Sequence, residues 1–90
     1  MKITLVKKVL SNGSPCRKCA DVLSKLEHAN YMQRIDKIID ADEADPTSAG
    51  MLLAKEYGVD RAPFFIVEYE DGHVDVYTVY LKFVMEVLEA

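Results

Sequence analysis

Ser11-Asn12-Gly13-Ser14-Pro15 divides the amino-terminal part of the chain into two segments that cannot share one secondary structure. Before it, Lys2 to Leu10 is rich in β-branched and aliphatic residues, the composition of a strand. After it, Cys19, Val22, Leu23, Leu26 and Asn30 recur at helical spacing, with Arg17, Lys18, Asp21, Lys25 and Glu27 on the other side. Five turn formers in a row demand a loop between the two periods. The chain therefore opens with a strand, a loop and a helix that begins at or just after Cys16. That helix start carries Cys16-Arg17-Lys18-Cys19, which holds both cysteines of the chain. Such a pair suits three chemistries: a dithiol that exchanges disulfides, half of a metal site, or two small buried side chains with no reactivity. The spacing alone leaves all three open. Context separates them, because a dithiol at a strand-helix junction reads as a redox motif, whereas a tetrahedral metal requires four ligands.

The remaining elements follow from the same signals. Arg34 to Asp40, with Ile35, Ile38 and Ile39, suits a second strand. Asp45-Pro46 is a helix start, an N-cap acceptor followed by the residue favoured at the first helical position. Gly58 followed by Val59 is the matching stop, and Ala49, Leu52, Leu53 and Tyr57 supply the apolar stripe between them. Gly50 costs this helix about 1 kcal/mol relative to alanine, and its missing side chain would let another backbone approach. Phe64 to Tyr69 and His73 to Thr78 flank Asp71-Gly72, a tight-hairpin signal. Tyr80, Phe83, Val84, Val87 and Leu88 sit at i, i+3, i+4, i+7 and i+8 of a closing amphipathic helix that starts near Thr78 or Val79.

The order is thus β-α-β-α-β-β-α in a single domain spanning residues 1–90. A right-handed crossover makes the first two strands parallel, and the hairpin must pair with them rather than stand as an exposed ribbon. The expected α/β architecture is a mixed four-stranded sheet with helices on both faces. Adjacent strand positions face opposite layers, so Phe64, Phe65 and Tyr69 are expected in the core.

Eleven basic against fifteen acidic side chains give a net charge of -4, and no basic cluster marks a nucleic-acid footprint. Lysines interrupt the apolar run from Met1 to Leu10, which excludes a signal peptide or a spanning helix by composition. A cytoplasmic location with no membrane partner is the resulting expectation. In that reducing compartment a Cys-x-x-Cys pair is catalytic, redox-sensing or metal-binding rather than a permanent crosslink. His28 and His73 lie at no common zinc spacing from the cysteines, so no metal ligand is assigned. Lys7 and Lys8 offer charge that would tune the thiolate, but strand lysines are more often solvated or edge-protecting, and that is the favoured reading. The acid run from Asp40 to Asp45 reads as a solvated loop that caps the next helix.

Physical chemistry makes the two cysteines unequal. A thiolate at a helix N-terminus meets unpaired amide donors and the positive end of the helix dipole, so Cys16 should ionise easily. Arg17 and Lys18 add positive charge beside it. Cys19, one turn deeper on the apolar side, should be buried and protonated.

Three features together resemble the thioredoxin/glutaredoxin-like superfamily across nearly the whole chain. They are Cys16-Arg17-Lys18-Cys19 after the first strand, Val59-Asp60-Arg61-Ala62-Pro63-Phe64-Phe65-Ile66-Val67, and the order of elements. The resemblance implies a thioredoxin-like fold in which Pro63 is cis, opens the third strand and faces the dithiol. It leaves the backbone of Ala62 free to pair with an extended substrate. The implied activity is thiol-disulfide exchange: Cys16 attacks a substrate disulfide, and Cys19 resolves the mixed disulfide. The chain departs from the better-known branches. Pro15 precedes Cys16, no tryptophan exists, and Lys8, Val9 and Leu10 offer no acid to take the proton of Cys19. The motif is not Cys-Pro-Tyr-Cys, and Tyr77-Thr78-Val79-Tyr80 stands where glutaredoxins carry a Gly-Gly pair that helps hold glutathione. These departures point away from glutathione and toward a protein disulfide or small dithiol partner, an unidentified recycling reductase, a monomer, and no cofactor beyond the dithiol itself. The competing reading is a thioredoxin-like binding or redox-sensing module without efficient turnover.

Overall fold

The computed structural model describes all residues, 1–90. Its strands are β1 (Lys2–Val9), β2 (Lys37–Asp42), β3 (Phe64–Glu68) and β4 (Val74–Tyr77). Its helices are α1 (Arg17–His28), α2 (Ala49–Tyr57) and α3 (Tyr80–Phe83), and α3 runs on as a π-helical segment over Val84–Leu88. The strands form one sheet in the order β2-β1-β3-β4. β1 runs parallel to β2 and antiparallel to β3, and β3 runs antiparallel to β4. The fold is α/β, with a mixed four-stranded sheet and three helices. No helix is long and apolar enough to cross a membrane.

Strand alternation distributes the core over both faces of the sheet. Ile3, Leu5, Phe65, Val67 and Tyr77 turn to one face, where they meet Val22 and Leu26 of α1 and Phe83, Val84, Val87 and Leu88 of the closing helix. Phe65 stacks on Phe83 with ring centroids 3.8 Å apart. Val6, Ala41, Phe64 and Ile66 turn to the other face, covered by Met51, Leu53, Ala54 and Tyr57 of α2. Phe64 and Phe65 are both fully buried, on opposite faces. Each such side chain contributes about 1.5–3 kcal/mol by leaving water.

Gly50 explains how α2 sits so close to the sheet. A Cβ on this residue would lie 2.5 Å from the Ala41 amide nitrogen and 2.5 Å from the Asp40 carbonyl oxygen. The helix backbone rests directly on β2, the close approach for which a glycine is required. At the other end of α2, Gly58 takes φ 65°, ψ 34°, the left-handed cap.

Tertiary contacts override several local expectations. The second strand starts at Lys37 rather than Arg34, and Met32–Arg34 forms a 3₁₀ turn. Asp36 explains the shift: its carboxylate accepts the Ile3 N–H at 2.7 Å while its own N–H donates to the Ile3 carbonyl at 2.8 Å. These two bonds anchor the strand entrance and leave Ile35 on the side of the larger core cluster. Asp45-Pro46 does not start α2. The Asp45 carboxylate accepts from the Thr47 N–H (2.9 Å) and hydroxyl (2.7 Å), closing a local turn that competes with helix. α2 begins after Ser48, whose Oγ accepts the Asp42 N–H at 3.0 Å and ties the helix start to the end of β2.

With Gly50 against β2, the buried face of α2 is Gly50, Met51, Leu53, Ala54 and Tyr57, and Ala49 and Leu52 are exposed instead. Asn30 also leaves the apolar stripe assigned to it: it is exposed at φ 62°, just past the end of α1. The hairpin forms around Asp71-Gly72 but with a three-residue loop, Glu70-Asp71-Gly72. Gly72 at φ 91° donates to the Tyr69 carbonyl, and Tyr69 donates to the His73 carbonyl.

Candidate active site at the end of β1

The loop after β1 folds back on the strand and delivers Cys16 to its end. Leu10 N–H donates to the Ser14 carbonyl (2.8 Å), Pro15 bridges Val9, and the Cys16 N–H donates to the Lys8 carbonyl at 3.2 Å. Cys16 is the N-cap of α1, with extended backbone (φ -68°, ψ 130°) and no side-chain capping bond. Its carbonyl accepts the Ala20 N–H at 3.0 Å. Both cysteines are reduced; Cys16 is partly exposed and Cys19 is only 2% exposed.

The two thiols are driven in opposite directions. Partial burial raises Cys16, but the Cys19 N–H, the Cys19 thiol, the Lys18 N–H and the Lys8 charge together outweigh it and hold Cys16 below the ordinary thiol value. Burial pushes Cys19 up to about 11, and the hydrogen bond and charge of Cys16 add to that against a main-chain donor. That donor is the Lys8 N–H, 3.2 Å from the Cys19 Sγ.

Arg17 and Lys18 are exposed and directly follow Cys16. Lys18 also acts on Cys16 through its main-chain N–H, and the Lys8 ammonium on the neighbouring strand favours the thiolate as well. Lys7 and Lys8 are not simply solvated strand charges. Lys7 pairs with Asp40, and Lys8 lies 3.3 Å from Glu43, with both lysine side chains about 30% exposed. Of the two readings the sequence allowed for Lys8, a tuning charge or a solvated strand lysine, its place beside the first turn of α1 favours the first. Lys8 stands one position before the end of β1, and a strand lysine carries no mark of its spatial neighbours.

The Ala62-Pro63 peptide bond is cis, and both residues are half-buried at the entrance to β3. Neither the N–H nor the carbonyl of Ala62 has a partner within the chain. A cleft of about 240 Å³ lies between this loop and α1, lined by Lys18, Val22, Arg61, Ala62, Pro63 and Tyr80 among others. Lys18, Asp21 and Val22 place one side of α1 on this cleft and the Ala62-Pro63 loop the other, while neither Cys16 nor Cys19 lines it. The two histidines are engaged elsewhere: His28 Nδ1 lies 2.8 Å from the Ser24 carbonyl, and His73 Nε2 lies 2.8 Å from Asp75. No group of three or more His, Cys, Asp or Glu side chains is placed to hold a metal ion.

No protein-family model, no curated protein and no solved structure matches the chain.

Proposed function

We propose that the chain is a small thiol-disulfide oxidoreductase with a thioredoxin-like fold, acting on protein disulfides in a reducing compartment. The observation that carries this reading is the asymmetry of the dithiol, an accessible cysteine at a helix start favoured as thiolate and a buried one held as thiol. The order of elements and the unengaged Ala62 backbone, beside a cleft that α1 also borders, support it.

The chemistry follows from that asymmetry. The Cys16 thiolate attacks one sulfur of the substrate disulfide; a Cys16-substrate S–S bond forms and the other substrate sulfur leaves with the electron pair. Once Cys16 is in the mixed disulfide, its negative charge no longer opposes ionisation of Cys19, while the Lys8 N–H still favours the Cys19 thiolate. Cys19 then loses its proton, attacks the Cys16 sulfur and releases the second substrate thiolate, which takes up a proton from solvent. The substrate is reduced by two electrons and the protein is left with a Cys16–Cys19 disulfide, which a separate reductase must reopen. The Ala62 main chain offers one donor and one acceptor to an extended substrate segment, pairing that depends little on side chains.

Alkylation of Cys16 followed against pH, together with insulin reduction driven by dithiothreitol, tests the proposal. Cys16 should alkylate with a midpoint below that of a free thiol, and Cys16→Ser should abolish catalysed reduction. A midpoint at the free-thiol value with activity intact in Cys16→Ser would refute it and leave a binding or sensing module.

A further inference from the structure

We infer that the dithiol mouth is built for a disulfide whose cysteine is flanked by acidic residues, presented by an extended segment of a partner protein. The inference rests on the proposed exchange activity and concerns which substrates that activity selects.

The chain carries -4 overall, yet the residues next to the nucleophile are cations. The one carboxylate lining the cleft, Asp21, and two on neighbouring segments, Asp60 and Glu43, each have a cation partner. Asp21 is held by Lys25 at 3.2 Å, Asp60 by Arg61 at 3.6 Å, and Glu43 by Lys8 at 3.3 Å. Arg17 and Lys18 make no ion pair with any carboxylate of the chain. They are exposed, they directly follow Cys16, and Lys18 also lines the cleft that the Ala62-Pro63 loop borders. Two unpaired cations at the point of attack, on a protein of opposite net sign, attract acidic chains and repel basic ones.

The Ala62 backbone determines the form of the partner. Its free N–H and carbonyl suit an extended peptide. A segment whose cysteine reaches Cys16 also meets Arg17 and Lys18, the two residues that directly follow it. Fields of this kind raise association rates by roughly tenfold or more and fade as salt shortens the screening length below about 10 Å.

The test uses three peptides of equal length, each bearing a thionitrobenzoate mixed disulfide on a central cysteine flanked by Asp and Glu, by Ser and Gly, or by Lys. Cys16 attacks the peptide sulfur and thionitrobenzoate leaves with the electron pair. Cys19 then displaces the peptide thiol and leaves the protein oxidised. The second-order rate of thionitrobenzoate release is measured at ~0.02 M and ~0.5 M salt, with the whole chain and with Arg17→Glu/Lys18→Glu. The acidic peptide should react about tenfold faster than the basic one at low salt, the ratio should shrink at high salt, and it should reverse in the double variant. Ratios between peptides cancel any change in the thiolate itself, and a far-UV spectrum confirms that the double variant is folded. Equal rates for the three peptides would overturn the acidic preference and leave disulfide exchange standing. No protein-dependent release from any peptide would overturn the exchange activity and this inference with it.

Discussion

Replacing Gly50 by alanine sets two effects of known sign against each other. Alanine is favoured over glycine within a helix by about 1 kcal/mol, so local propensity alone predicts a more stable protein. The new Cβ, however, would lie 2.5 Å from the Ala41 amide nitrogen and the Asp40 carbonyl oxygen, about 1 Å inside an ordinary contact. β2 cannot yield, because six of its residues are paired with β1. Relief requires α2 to lift away, which loosens Met51, Leu53, Ala54 and Tyr57 against Val6, Ala41, Phe64 and Ile66. Overpacking of this kind costs about 1–3 kcal/mol, and contact with main chain rather than a flexible side chain puts Gly50 at the upper end. After the propensity gain, a net loss of about 1–2 kcal/mol remains, a fall in Tm of roughly 5–15 °C for a domain of this size. Thermal unfolding followed by circular dichroism reads the shift, with Ala49→Gly on the exposed side of the same helix as the propensity control. α2 covers the face of the sheet opposite α1, so Cys16 alkylation should not change. A Gly50→Ala protein as stable as the parent, or more so, would show that the helix does not rest on the β2 backbone.

Two further outcomes test the tuning of the thiols. Lys8→Met removes the ammonium that favours the Cys16 thiolate but keeps the main-chain donor to Cys19, so Cys16 alkylation at neutral pH should slow and its midpoint rise. An unchanged midpoint would show that Lys8 does not act on Cys16. Cys19 titrates near 11 in the folded protein against an ordinary 9.0, so between these values the folded state binds more protons than the unfolded one and stability falls as pH rises. The reduced protein should lose about 1–2 kcal/mol to urea over that window. Cys19→Ala should flatten the first part of the loss, before the tyrosines, of which Tyr77 is pushed up to about 12, add theirs. Cys16 is shifted the other way: its contribution grows as pH rises toward 9.0 and is fully present above that value, so a loss of stability beginning under pH 9.0 would contradict the assignment.

What the sequence by itself determined was whatever depends on near neighbours. The change of period across Ser11 to Pro15 was enough to start α1 just after Cys16, since both signals lie within a few residues of the boundary. Gly58 could be read as the end of α2, because only its own φ and the preceding turn are involved, and Gly50 as a place of close approach, though not what approaches. The alternation of β3 carried Phe64 and Phe65 to opposite layers.

What only the tertiary structure decided depends on partners distant in sequence. Asp36 delays β2 because Ile3, thirty-three residues away, supplies both halves of its bond pair. Ser48 rather than Asp45 precedes α2 because the Asp42 N–H holds its hydroxyl while Asp45 turns to Thr47. At the dithiol, the sequence showed that two cysteines stand at a helix start, with two cations between them. That a charge favouring Cys16 and the donor reaching Cys19 both belong to Lys8 follows from laying the end of β1 beside the first turn of α1, and electrostatics acts across that space regardless of the seven residues of chain between Lys8 and Cys16.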